Sequence, residues 1–176
     1  MDFLHSPAGR APPWDINIVV EIPLRGDETF GAPVCQPGNF GFVPGTAMDD
    51  GEPCEALVVG SVSVLPGAVL RSRPIGLAEL ADDEDGPVRL RLLAAPLERL
   101  HPFFAGTTSL ETLPAALLEQ AEHFLTHLRD LPRPGVARLV RWGGAEEAAR
   151  LIERAIESYR SGRRPERWSG GDDGGL

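Results

Sequence analysis

Between Gln36 and Glu55 the chain reads QPGNFGFVPGTAMDDGEPCE, and Pro37, Pro44 and Pro53 with Gly38, Gly41, Gly45 and Gly51 break it repeatedly. Such punctuation predicts a loop, and the apolar run that follows at once, beginning at Ala56, predicts a buried strand. Four acids stand in this loop: Asp49, Asp50, Glu52 and Glu55. The spacing i, i+2 and i+5 from Asp50 lets carboxylate oxygens converge on a hard cation such as Mg2+. The competing reading is a solvated acidic turn, and the surrounding chain has to decide between them.

The flanking segments read as a strand-rich first half and a helical second half. Asp15 to Pro23, DINIVVEIP, is a β-branched run and hence a strand. Alternation puts its Glu21 on the face of Val19 and Asn17, which leaves open whether that face looks inward. Leu24 to Val34 is a polar, Gly-containing link. Ala56 to Val64 is a strand, Pro66-Gly67 a turn, and Ala68 to Ile75 a strand with Arg71 and Arg73 on one face. Glu79 to Pro87 is an acidic loop holding Asp82, Asp83, Glu84 and Asp85, and Val88 to Ala95 is a strand that aligns Arg89 with Arg91. Leu113 to Leu128 carries the stripe Leu117, Leu118, Ala121, Phe124, Leu125 and Leu128 of an amphipathic helix, with Pro114 in its first turn. Val136 to Trp142 is a short strand. Ala145 to Tyr159 is a second helix, with Ala148, Leu151, Ile152, Ala155, Ile156 and Tyr159 on one face. The expected architecture is α+β and mainly β: a small closed antiparallel OB-like barrel of about five or six strands flanked by two helices. It forms one domain over residues 1–160, followed by a disordered tail over 161–176 rich in Arg, Gly, Asp and Ser.

Charge narrows the partners. A formal net charge of −9 argues against nucleic acid or an anionic membrane and suits a protein that gathers divalent cations. The first residues lack an apolar run and no segment approaches membrane-spanning length, so a cytoplasmic protein is expected. All 17 basic residues are arginine, which closes every mechanism that needs an ammonium group. Cys35 and Cys54 show no metal-ligand spacing and neither require nor forbid a disulfide. His123 and His127 stand i, i+4 on a helix, a spacing that can bind metal, but with no third ligand they read as the helix flank. Phe124 and Trp142 read as core or interface residues.

Six segments, taken in order, carry a likeness: VVEIP (Val19–Pro23), PGNFGFVPGT (Pro37–Thr46), DGEPCEALV (Asp50–Val58), LPGAVLRSRPIG (Leu65–Gly76), AEHFLTHLRDL (Ala121–Leu131) and RWGGAEEAARLIERAIESY (Arg141–Tyr159). Together they resemble the soluble, barrel-type, Mg-dependent inorganic pyrophosphatases over roughly residues 12–160. The resemblance implies metal-assisted attack of water on a phosphoanhydride: acids from two loops hold Mg2+, the metals acidify a water, and basic and Tyr side chains clamp the phosphates. It implies metal ligation by Asp50, Glu52, Glu55, Asp82 and Asp85, with Glu52 as base for the water. It places Glu21, Phe40, Arg91 and Arg129 toward the substrate, which would be pyrophosphate or another phosphorylated small molecule. It also implies a homo-oligomer, often a hexamer in bacteria.

The chain departs from the family pattern at several of these positions. Glu52 and Glu55 replace aspartates, and the extra methylene moves each carboxylate by about 1 Å, a misplacement that can cost on the order of 10²-fold in rate. The interval from Leu24 to Gln36 is too short for the family's hairpin with its lysine, glutamate and arginine, and only Arg25 is available there. Phe40 lacks the hydroxyl of the tyrosine it replaces. Arg91 stands for a lysine, and Leu128-Arg129 for a Tyr-Lys pair. Two further readings follow from those losses: a repurposed member acting on a larger or less charged substrate, or a non-catalytic paralogue.

Overall fold

The computed structural model describes residues 3–24, 36–81, 88–97, 102–127, 137–163 and 165. Among them are seven strands: β1 (Gly9–Ala11), β2 (Asp15–Ile22), β3 (Gly38–Val43), β4 (Cys54–Val59), β5 (Val69–Ala81), β6 (Val88–Pro96) and β7 (Arg138–Gly144). Two helices, α1 (Ala115–His127) and α2 (Ala145–Arg160), and two short 3-10 turns complete them.

The strands run in the order β1-β2-β3-β4-β6-β5-β7, and β2 also pairs with β5, so β2, β3, β4, β6 and β5 close into a ring. Closure depends on β5, a 13-residue strand that changes partners along its length. Val69–Ser72 pair with β2, Ser72–Ala81 with β6, and Gly76–Ala81 with β7. A register shift between Pro74 and Gly76 bends the strand where it leaves β2, at a proline that has no N–H to give the ladder. The expected closed barrel with two flanking helices is present. One correction concerns strand direction: β4 and β6 are parallel, with Ala56 opposite Leu92, Leu57 opposite Leu93 and Val58 opposite Ala94. The other ring pairings are antiparallel.

Several boundaries also move. The stretch read as a loop contains β3, whose glycines are required by close approach: a Cβ on Gly41 would stand 1.9 Å from the Val19 carbonyl oxygen. The strand expected over 56–64 ends at Val59, whereas the strand expected over 68–75 continues to Ala81 and absorbs Glu79 from the acidic loop.

Two apolar layers hold the ring. In the first, Ile16, Ile18, Ala56, Val58, Leu92 and Ala94 pack against Ala148, Leu151, Ile152 and Ala155 of α2. In the second, Phe40, Leu57, Val59, Leu93 and Ala95 pack against Ala121, Phe124 and Leu125 of α1. Strand alternation sorts β4 and β6 residues between these layers, while the 3.6-residue period selects the helix faces. Leu128 lies outside the described residues. Among those described, no helix is long and apolar enough to cross a membrane.

Candidate active site

The acidic loop is shaped before it does any chemistry. Gly51 sits at φ +87°, a left-handed turn that suits glycine, and its N–H donates to the Met48 carbonyl at 3.1 Å. The Met48 N–H donates to the Glu52 carbonyl at 2.8 Å, and the Glu52 N–H donates to Asp50 Oδ1 at 3.0 Å. The loop is anchored at both margins. Thr46 Oγ1 accepts the Cys54 N–H at 2.9 Å, and the Ala47 N–H donates to the Ala155 carbonyl of α2 at 2.9 Å. Arg163, within the segment expected as tail, donates from Nη1 to Asp49 Oδ1 at 2.7 Å. Residues 164 and 166–176, with Trp168, lie outside the described set.

The loop delivers Glu55 to the second position of β4. Alternation with Leu57 and Val59 turns it toward the second apolar layer, and on β6 the same rule turns Arg91 with Leu93 and Ala95. The parallel register sets Ala56 opposite Leu92, so the preceding residues, Glu55 and Arg91, stand side by side. Arg91 Nη1 forms an ion pair with Glu55 Oε2, and the two side chains are only 11% and 12% exposed.

Glu21, next to last in β2, belongs to the same cluster. Burial, followed by the charges of Glu55 and Glu52, pushes its carboxyl up to about 9. Its Oε2 is buried and meets no hydrogen-bond donor among the described residues. Glu55 is also raised, chiefly by burial, with Arg91 opposing and Asp50 and Glu52 adding to the rise. Behind Glu55, the thiol of Cys54 is fully buried and pushed up to about 12, which leaves it a small apolar side chain at neutral pH. Glu55 therefore lies within electrostatic reach of Glu21, Asp50, Glu52 and Arg91, and Glu21 within reach of Glu52.

The donor chemistry fits a hard divalent cation. It is all carboxylate oxygen, and the orphaned oxygen of Glu21 is held in its protonated range by burial and like charge, which a bound cation would relieve. Among the described residues no three His, Cys, Asp or Glu side chains close on one point as a ready cage. Asp82 and Asp85 lie outside the described residues, as do Arg25, Arg129 and Cys35. Phe40 is 2% exposed and meets Phe124 edge to face, ring centres 6.0 Å apart. His123 and His127 remain on the flank of α1, where His127 Nδ1 lies 2.8 Å from the His123 carbonyl oxygen. The pairing of Glu55 with Arg91 was not foreseen. Its signal, two charged residues each at the polar start of an alternating strand, becomes readable only once β4 and β6 are known to be parallel neighbours.

The fold and the site together define a small closed β-barrel protein with clustered carboxylates and a guanidinium at the edge of one apolar layer. The inorganic pyrophosphatase family profile matches residues 21–160, and the chain belongs to that family. It is 37% identical to the inorganic pyrophosphatase of Caulobacter vibrioides, over 90% of this chain and 98% of that protein. It is 33% identical to that of Bradyrhizobium diazoefficiens, over 85% and 92% respectively. Among solved structures, an inorganic pyrophosphatase from Neisseria gonorrhoeae superposes with a TM-score of 0.72 at 29% identity, covering 90% of this chain and 98% of the other. That from Thermus thermophilus reaches a TM-score of 0.77 at 21% identity, over 91% and 99%, which speaks for the fold alone. Members of this family are hydrolases and generally depend on metal.

Proposed function

We propose that this chain hydrolyses inorganic pyrophosphate with Mg2+ as its cation, as a cytoplasmic homo-oligomer of the hexameric kind. The observation that carries this reading is the half-buried cluster of Glu21, Glu52 and Glu55, with Arg91 paired to Glu55, set in the family's barrel. In the reaction the water oxygen bonds to one phosphorus, the bridging P–O bond breaks, and the bridging oxygen leaves on the second phosphate. When bound, a divalent cation would supply charge neutralisation at the phosphates and a more acidic water. Asp50 and Glu52, with Asp82 and Asp85 from the later loop, would hold it. Glu55 belongs to the set by position, with its carboxylate already bonded to Arg91.

Glu52 takes the water's proton at a carboxylate oxygen. Its position is fixed by the two loop bonds its own backbone makes, to Asp50 and to Met48. Arg91 and Arg129 supply positive charge toward the phosphates, where an arginine fork matches paired oxygens. Glu21 lines the substrate side, and Phe40 forms a packed apolar floor.

A phosphate-release assay tests the reading, using pyrophosphate and a panel of organic phosphates with and without Mg2+. Mg-dependent release from pyrophosphate is expected, with Glu52→Gln slower by at least about 10²-fold, the scale of a lost general base. Turnover of organic phosphates alone would assign another substrate, and silence on every substrate would assign a non-catalytic role.

A further inference from the structure

Two acids of the cluster are neutralised in different ways. Glu21 presents a buried oxygen that meets no donor among the described residues. Glu55, at similar depth, is bonded to a guanidinium that the parallel β4–β6 register carries to its side. On their strands Glu55 and Arg91 share a face with Leu57, Val59, Leu93 and Ala95, all buried, so the pair stands at the margin of that apolar layer. An arginine keeps its charge at any pH at which the protein folds, so the pair cannot be dissolved by titrating the base. A guanidinium bonded to a buried carboxylate holds the lone pairs and the space that a divalent ion would need, and removing either partner would strand the other charge.

We propose that Arg91 is a built-in positive charge standing in for one divalent cation. Glu55 stays bonded to Arg91 and is not a metal ligand, and the site takes one ion fewer than its acids would hold with Glu55 released. The exchangeable cation is drawn instead to the side of Glu21 and Glu52. This inference rests on reading the cluster as a cation site, and it alters the ligand set within that reading.

The test is a calorimetric titration of Mn2+ into the full-length protein, counting ions per chain, with thermal midpoints measured in chelator and in Mn2+. For Glu55→Gln, the wild-type ion count is expected to persist. For Arg91→Gln, the released Glu55 is expected to bind about one additional ion per chain. The midpoint of that variant should fall in chelator and rise on adding Mn2+ by more than the wild type's does. The double variant Arg91→Gln/Glu55→Gln should return to the wild-type count and lose the excess rise. Loss of an ion in Glu55→Gln, a variant that retains Arg91, would overturn the proposal, as would an unchanged count with no excess rise in Arg91→Gln. If the wild type and every variant bind no Mn2+, the reading as a cation site falls too. Binding by the wild type with the wrong variant pattern sinks only the role given to Arg91.

Discussion

At the scale of single residues the sharpest consequence belongs to Glu21. Its ordinary carboxyl value of 4.5 rises to about 9 in the fold, so between those values the folded chain keeps a proton that the unfolded chain has released. The stability it contributes is therefore whole below pH 4.5 and is lost as pH rises through about 9. In chelator, the unfolding midpoint of the wild type is expected to decline over that window relative to Glu21→Gln. Parallel profiles for the two proteins would contradict the burial described. A divalent cation should flatten the wild-type decline, because it replaces the proton as the countercharge. The acidic character of this group was legible in the sequence, but its environment was not: alternation along β2 fixes which residues share a face and says nothing of which face meets Glu52 and Glu55.

At the scale of elements, propensity and period identified most of the pieces. Both helices lie close to their expected positions, and the buried faces of α1 and α2 match their apolar stripes, because a 3.6-residue period survives in the sequence wherever a helix covers a layer. What failed is equally physical. The segment Gly38–Val43 looks like a turn because it holds two glycines, yet those glycines are there to let strands β2 and β4 approach. The helix α1 is held to the second layer by Phe124, 2% exposed and edge to face with Phe40. Replacing Phe124 by alanine is expected to cost about 3–5 kcal/mol in urea unfolding, the range for deleting a buried ring. A loss within about 1 kcal/mol would mean that α1 is not seated as described.

At the scale of the whole molecule, the family was legible because six segments keep their order and spacing, which is a constraint on the complete chain rather than on any one loop. Strand direction was not legible in the same way, since local patterning is identical for parallel and antiparallel neighbours once both faces are buried. The parallel neighbours β4 and β6 have a consequence in time. Antiparallel strands can zip from a tight connection, whereas β4 and β6 run parallel and are joined by a crossover that contains β5, and non-local pairing of that kind slows folding. The bond between Glu55 and Arg91 is expected to form after the transition state of folding. In stopped-flow refolding, Arg91→Gln is expected to leave the folding rate nearly unchanged and to speed unfolding. An equal effect on both limbs would place closure earlier. Until β6 docks beside β4, Glu55 lacks that guanidinium, so ring closure is also the step that brings a countercharge to the carboxylate.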